Sequence, residues 1–258
     1  GWSVIGIDSS SERVKALNLG KSPVEDIADE ILESAIAKKM YVATNDFSSI
    51  VNAEVVTICV PTPLNENREP DLSFIESACD ILAKNLTSSA LIINESTSYP
   101  GTLRNLIAKR VDEKSSFPHK FAISPERVDP GREDFNQKNT PRLYAGLTTE
   151  ASERTRDFYS KFCDNLVEVS SPEVAESAKL FENTFRQVNI ALVNEFAQIA
   201  HALGISVHET LDAANTKPYG FMKFNPSAGV GGHCIPVDPS YLAHVAEGLG
   251  VPATFIER

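Results

Sequence analysis

Val4-Ile5-Gly6-Ile7-Asp8-Ser9-Ser10-Ser11-Glu12 decides how the chain folds. Three branched aliphatics around a glycine stop at an acid. Serines and a glutamate follow in the order that opens a helix, so a strand over 4–7 and a helix to Leu19 are expected. The same grammar repeats downstream. A helix is expected over 26–39, then short apolar runs at 40–44, 54–60, 91–94 and 120–123, with helices over 74–86 and 102–111 between some of them. Two later runs, 143–146 and 166–170, read as further strands. Strands alternating with helices build βαβ units, and these build a doubly wound parallel sheet.

The pattern changes after Ser171-Pro172-Glu173. Proline suits the first helical position because its missing N–H would be unpaired there anyway. No proline interrupts 173–203, and Gly204 supplies a stop. Some thirty residues at ~1.5 Å each give a helix roughly 45–50 Å long. Its apolar residues include Ala178, Phe181, Phe185, Val188, Leu192, Val193, Phe196 and Ile199. So broad a stripe implies burial on more than one side. A second helix is expected over 206–214, a proline- and glycine-rich stretch over 215–238, and a last helix from near Pro239. The expected architecture is therefore α/β over 1–170, an incomplete Rossmann-like domain, followed over 171–258 by an all-helical domain on one long spine helix.

The 258 residues suit one large domain or two modest ones. With 42% hydrophobic and 23% charged residues, the composition argues against intrinsic disorder. Lys+Arg is 24 and Asp+Glu is 35, a net charge of −11. That sign argues against nucleic acid, whose binders need a basic stripe, and against anionic membrane surfaces. No apolar run approaches the ~18–20 residues of a membrane span. Cys59, Cys79, Cys163 and Cys234 lie far apart without a CxxC pair, as expected of reduced thiols in a cytoplasmic protein. The chain opens already inside an apolar run, so residues ahead of Gly1 are expected in the whole protein.

Chemistry concentrates in Gly229-Val230-Gly231-Gly232-His233-Cys234-Ile235-Pro236-Val237-Asp238. Glycines let a backbone approach a ligand closely, and a cysteine directly after them is placed on a constrained loop. His233 favours a thiolate, and Asp238 can handle protons or water. The competing reading makes Cys234 a small buried apolar residue. A zinc site lacks the further ligands it needs, so no metal is expected. On the long helix, Lys179 and Asn183 share a face one turn apart, with Glu176 and Arg186 nearby. A partly desolvated lysine there can act as acid, base or electrostatic clamp, the alternative being a solvated face with a Glu176–Lys179 ion pair. Asp8 closes the first strand, where dinucleotide folds keep an acid for the adenosine ribose, though it is also an ordinary helix-start residue. That acid lies ~20 residues beyond a glycine-rich phosphate turn, which cannot fit in the seven residues ahead of Asp8. Three further turns follow strands: Val60-Pro61-Thr62-Pro63, Glu95-Ser96-Thr97 and Ser124-Pro125-Glu126-Arg127-Val128. In open α/β sheets ligands bind outside the carboxyl ends of strands, so Thr62, Thr97 and Glu126 are candidates, against plain turn chemistry.

These pieces, together with Ala175-Glu176-Ser177-Ala178-Lys179-Leu180-Phe181-Glu182-Asn183, occur in the order found in the nucleotide-sugar 6-dehydrogenases, and the chain resembles that family over nearly its whole length. His233, Asp238-Pro239, the Pro-Glu-Arg-Val run and Val237 resemble the branch that oxidises N-acetylated sugars. The resemblance implies NAD as cofactor, a UDP-sugar as substrate, and two successive oxidations at C6 of the sugar through a cysteine thioester. It implies Cys234 as nucleophile, Lys179 and Asn183 at the developing oxyanion, and Asp238, Glu126 and Thr97 managing water and protons. Asp8, Arg13, Thr62, Thr97 and Glu126 would line the NAD site. Lys179, Asn183, Lys223, Phe224, Asn225, Gly231 and Arg127 would meet the sugar nucleotide, and the long helix would be the spine of a homodimer. The family's glycine-rich turn and its C-terminal UDP-binding domain are absent from these residues, so weak NAD binding by this chain alone is expected. Two other readings stay open: a two-electron hydroxy-acid dehydrogenase of related fold, and a non-catalytic dimerising subunit.

Overall fold

A computed structural model describes residues 2–24, 27–128, 134–231 and 235–256. The chain forms two compact units. The first comprises Gly1–Pro61, Ser73–Ser96 and Gly101–Ala175, and the second Thr62–Leu72, Thr97–Pro100 and Glu176–Arg258. The turns that hold Thr62 and Thr97 are thus grouped with the helical unit, although they follow strands of the first.

The first unit carries β1 (Val4–Ile7), α1 (Ser11–Asn18), α2 (Asp29–Ala37), β2 (Tyr41–Thr44), β3 (Val55–Ile58), α3 (Ser73–Asn85), β4 (Leu91–Asn94), α4 (Lys109–Lys114), β5 (Lys120–Ile123), β6 (Arg142–Gly146), α5 (Thr149–Tyr159) and β7 (Leu166–Glu168). Strands β1 and β2 pair in parallel, Val4 opposite Tyr41. The other five form a sheet in the order β3-β4-β5-β6-β7. Ser10 caps α1 through its Oγ, which accepts from the Arg13 N–H at 3.2 Å, as the serine run implied. β4 lies between β3 and β5, and all four of its residues are buried. A strand covered on both faces reads as a continuous apolar run rather than an alternating one. Ile75, Cys79 and Leu82 on α3 add to the core, as do Ala151 and Tyr159 on α5.

Three local features differ from expectation. β6 runs antiparallel to β5, pairing Ala122 with Gly146 and Ile123 with Ala145, and parallel to β7. Strand direction is set by the connection between strands, and the described residues of the link, 124–128 and 134–141, form no crossover helix of the kind a parallel pair needs. The expected helix over 102–111 begins as a π-helical turn, Leu103–Ala108, before α4 takes over. β3 stops at Ile58, because the Ile58 carbonyl accepts from the Glu95 N–H at 2.9 Å and the Ser96 N–H at 3.1 Å. The next residues are held by side chains instead: Ser96 Oγ donates to the Val60 carbonyl at 2.7 Å.

His119 supplies a pH-dependent contribution to this unit. The Ala90 N–H donates to its Nδ1 at 3.3 Å, and Nε2 lies 2.8 Å from Ser115 Oγ. Because Nδ1 must accept, the ring is neutral with its proton on Nε2. Burial pushes its pKa below the ordinary 6.5, and Asp112 offsets this in part. The folded chain then resists a proton that the unfolded chain takes up. The contribution is fully present above 6.5 and is lost as pH falls toward the lowered value. Urea midpoints measured from pH 7.5 to 5 should decline, and His119→Gln should show a shallower decline. Equal slopes for both proteins would refute this.

The second unit is built on α6 (Pro172–Leu203), with α7 (Val207–Asn215) and α8 (Asp238–Gly248). Leu180, Ala200, Leu211 and Tyr241 are buried in it. The broad apolar arc of α6 is covered in part within this chain, where Ala175, Leu180, Ile190, Val193 and Ala200 are buried. Phe181, Phe185, Leu192, Ile199 and Leu203 are all exposed, Leu203 by 67%. The apolar arc of α6 is wider than the chain's other elements can cover. No helix among the described residues is long and apolar enough to cross a membrane.

Candidate active site

In the first unit, the C-terminal edge of the sheet gathers charge. Glu95 follows β4 and Glu126 follows β5, and Arg142 opens β6. The antiparallel direction of β6 brings its first residue, rather than its last, to that edge. Arg142 is only 6% exposed. Its Nη2 lies 2.7 Å from Glu95 Oε2 and its Nη1 3.3 Å from Glu126 Oε2. Nε donates to Ser124 Oγ at 2.8 Å, and the guanidinium carbon sits 4.2 Å from the centre of the Tyr159 ring. Tyr159 Oη donates to Glu95 Oε1.

Glu126 is held at both oxygens. Oε1 accepts from the N–H groups of Arg127 and Val128, each at 2.7 Å. Oε2 accepts from Gln137 Nε2 at 2.6 Å, besides Arg142. Burial alone would raise this carboxyl, but the Gln137 and Val128 hydrogen bonds and the Arg142 charge outweigh it and hold it below its ordinary range. Arg127 turns its guanidinium to the Pro141 carbonyl, 2.7 Å away. At the end of β1, Asp8 Oδ1 accepts from the Ser10 N–H at 2.8 Å and Oδ2 pairs with Arg13 at 3.0 Å. Asp8 and Arg13, two of the five residues expected beside the cofactor, therefore touch each other.

In the second unit, Lys179 and Asn183 lie one turn apart on α6, and Asp238 begins α8. Asn183 Nδ2 donates to Asp238 Oδ2 at 2.5 Å. Asp238 is buried. Burial raises its pKa, and the Asn183 hydrogen bond and the Lys179 charge pull it partway back. This is an acid poised to exchange a proton beside a cation and an amide donor. Glu176 is 1% exposed and accepts from Ser98 Oγ at 3.2 Å, so it does not lie on a solvated face. Thr62 enters through its backbone: its carbonyl accepts from Tyr241 Oη at 3.1 Å. Thr97 is half-buried in the same unit, just ahead of Ser98.

The other expected substrate residues lie apart from the Lys179–Asn183–Asp238 group in their contacts. Lys223 pairs with Asp212. Phe224 packs edge-on against Phe185, with ring centres 5.9 Å apart. Asn225 is exposed, and Gly231 is exposed with φ +66°, a backbone that glycine adopts without strain. Gly232, His233 and Cys234 lie outside the described residues. Cys59, Cys79 and Cys163 are free thiols, and the described residues contain no metal-holding cluster.

Sequence reading did not single out Glu95, Gln137, Arg142 or Tyr159. The one local signal was a charge directly bordering an apolar strand, at Glu95 and again at Arg142. Which of these charges meet is decided by the strand order.

An α/β unit with an acid closing a parallel strand has the form of a dinucleotide-binding fold. Residues 1–163 match the UDP-glucose/GDP-mannose dehydrogenase family, NAD binding domain, and residues 173–258 match that family's central domain. The chain belongs to this family, as the sequence resemblance implied. It is 36% identical over 257 residues to the UDP-N-acetyl-D-mannosamine dehydrogenase of Pyrococcus horikoshii, covering 97% of this chain and 61% of that protein. It is 35% identical over 254 residues to the UDP-N-acetyl-D-glucosamine 6-dehydrogenase of Pseudomonas aeruginosa, covering 96% and 59%. The solved structure of the Pyrococcus horikoshii UDP-D-ManNAc dehydrogenase superposes with a TM-score of 0.86 at 35% identity, over 96% of this chain and 60% of that one. The chain thus spans about three-fifths of the length of these relatives.

Proposed function

We propose that the protein containing this chain oxidises the C6 alcohol of a UDP-N-acetylhexosamine to the acid in two steps. The observation that carries this reading is the Lys179–Asn183–Asp238 arrangement: a hydrogen-bonded amide and buried acid, with the lysine charge acting on that acid. The preference for an N-acetylated sugar rests on His233, Asp238-Pro239 and Val237, and on relatives named for such sugars.

NAD, when bound, accepts the hydride in each oxidation. Asp8 fits its adenosine ribose, because it ends a parallel strand and each carboxylate oxygen keeps a free lone pair beside its contact to Ser10 or Arg13. Arg13, Thr62, Thr97 and Glu126 are assigned to the same cofactor. In the first oxidation the C6 hydroxyl gives up its proton and C6 its hydride, leaving an aldehyde. The Cys234 thiolate then adds to the aldehyde carbon, forming a C–S bond and an oxyanion. Lys179 and the Asn183 amide hold that charge. Loss of the second hydride from C6 leaves a thioester. Water adds to its carbonyl, the C–S bond breaks, and the acid departs with the thiolate restored. Asp238 and Glu126 take and return the protons of water, and Thr97 helps to place it. Lys223, Phe224, Asn225, Gly231 and Arg127 are assigned to the sugar nucleotide.

The assembly proposed is a homodimer through α6. Phe181, Phe185, Leu192, Ile199 and Leu203 recur at spacings of four and seven, which is one helical face, and all are exposed. The free thiols fit a cytoplasmic compartment.

The test is a panel of UDP-sugars offered, with NAD, to the protein at the full length of its relatives. UDP-N-acetylglucosamine or UDP-N-acetylmannosamine should give the highest kcat/KM. Equal or better use of UDP-glucose would overturn the N-acetyl assignment, and no turnover of any UDP-sugar would overturn the reading.

A further inference from the structure

The charge cluster at the sheet edge is more than the fold requires. Its cation, Arg142, is buried between two part-exposed carboxylates, and desolvating a cation is expensive enough that apolar residues of similar volume usually serve stability as well or better. Here the cluster stands where an α/β sheet meets its ligands. Its bonds also converge on Glu126 by two routes. Arg142 Nη1 reaches Glu126 Oε2 directly, and it also donates to Gln137 Oε1 at 3.0 Å while Gln137 Nε2 donates to the same carboxylate oxygen. Arg142 is itself fixed by Glu95, Ser124 and the Tyr159 ring.

We propose that Arg142 is a positioning residue, a buried clamp braced by Glu95 and Tyr159 that holds the Glu126 carboxylate in one orientation at the C-terminal edge of β5. Its meaning for turnover rests on the proposed role of Glu126 with water; the clamp itself does not. Gln137 is held at its Oε1 by the same guanidinium, so loss of Arg142 removes one partner of Oε2 and releases the far side of the other. The titratable and charged groups facing the cluster, among the described residues, are Glu95 after β4, Arg142 on β6, Tyr159 on α5, Cys163 just beyond it, Cys59 after β3, and Arg127 on the carboxylate's own loop. Among the described residues in that set, Arg142 and Arg127 are the cations, and the Arg127 guanidinium donates to the Pro141 carbonyl.

The test reads the Glu126 carboxyl directly, by carbon-13 NMR titration of this chain labelled at glutamate Cδ, with Glu126→Gln to assign the resonance. In R142Q its midpoint should rise by about one pH unit or more. In R142K it should rise less, because an ammonium supplies charge but cannot grip both carboxylates in a fork. An unmoved midpoint in both variants would overturn the clamp. If R142Q does not fold, R142K alone decides between a raised and an unmoved value. In the protein at full length, R142Q should lower kcat by roughly 100-fold, with KM for sugar and NAD nearly constant. R142K should recover part of that loss. A moved midpoint with unchanged kcat would uphold the clamp and instead overturn the role given to Glu126.

Discussion

Cys234→Ala should abolish formation of the sugar acid, lowering its rate by roughly a thousandfold or more, while the first oxidation persists. The reason is the chemistry of the second step. An aldehyde carbon carries one hydrogen that can leave as hydride only after a nucleophile has added. In the proposed route that nucleophile is sulfur, and its addition also tethers the intermediate to the protein. Without the thiol the aldehyde is formed, returns to alcohol or escapes. The motive lies in the sequence: three glycines within 229–232 and a histidine immediately before the cysteine. Serine at 234 should behave like alanine for acid production, because an alkoxide is a far harder nucleophile to generate near neutral pH than a thiolate. The check is product analysis by mass spectrometry, with an aldehyde trap present. Near-normal acid formation by either variant would mean that the cysteine is not the nucleophile and that the aldehyde loses its hydride by another route, as the hydrate formed when water adds to it.

Lys179→Ala should lower kcat by roughly 1,000-fold, the cost of removing a principal donor from a developing oxyanion. It should also change the pH profile. Asp238 is already displaced upward by burial, and Lys179 is one of two groups restraining that rise. With the ammonium gone, the Asp238 carboxyl stays protonated to higher pH. If the ionised form is needed to take a proton from water, the acid limb of kcat moves to higher pH. Lys179→Arg should return the charge and much of the pH profile but less of the rate, since the planar fork places its donors differently from an ammonium. Asn183→Ala removes the other restraint, the hydrogen bond to Asp238 Oδ2, and should shift the limb in the same direction. Steady-state kinetics followed down through the acid limb checks both. A Lys179→Ala enzyme with full kcat would place the oxyanion elsewhere.

Much of the fold could be read directly because its signals are local. Leu91–Asn94 and Lys120–Ile123 are short apolar runs bounded by turn residues, and both are strands with the expected limits. Ser171, Pro172 and Gly204 bracket the long helix, which runs Pro172–Leu203. What was not legible depends on distant pairing. The direction of β6 is not encoded in Arg142–Gly146 itself but in its pairing with β5, which is distant in sequence. The charge cluster joins residues 95, 126, 142 and 159, whose proximity follows from that direction. The outward face of α6 shows the same limit: composition revealed a wide apolar arc, but not which part of it the chain would cover. In the site, Asn183 and Asp238 were readable as polar residues near glycine-rich or helical signals, and the structure joins them by a 2.5 Å hydrogen bond.

The central claim is four-electron oxidation of one alcohol carbon, and counting electrons tests it most directly. NADH produced and sugar acid formed should be measured in the same reaction, run to completion with limiting UDP-N-acetylhexosamine and the protein at full family length. Four-electron oxidation yields about two NADH for each acid, with no free aldehyde accumulating, because each hydride lost from C6 reduces one cofactor. One NADH per product, or an aldehyde as the end point, would contradict it.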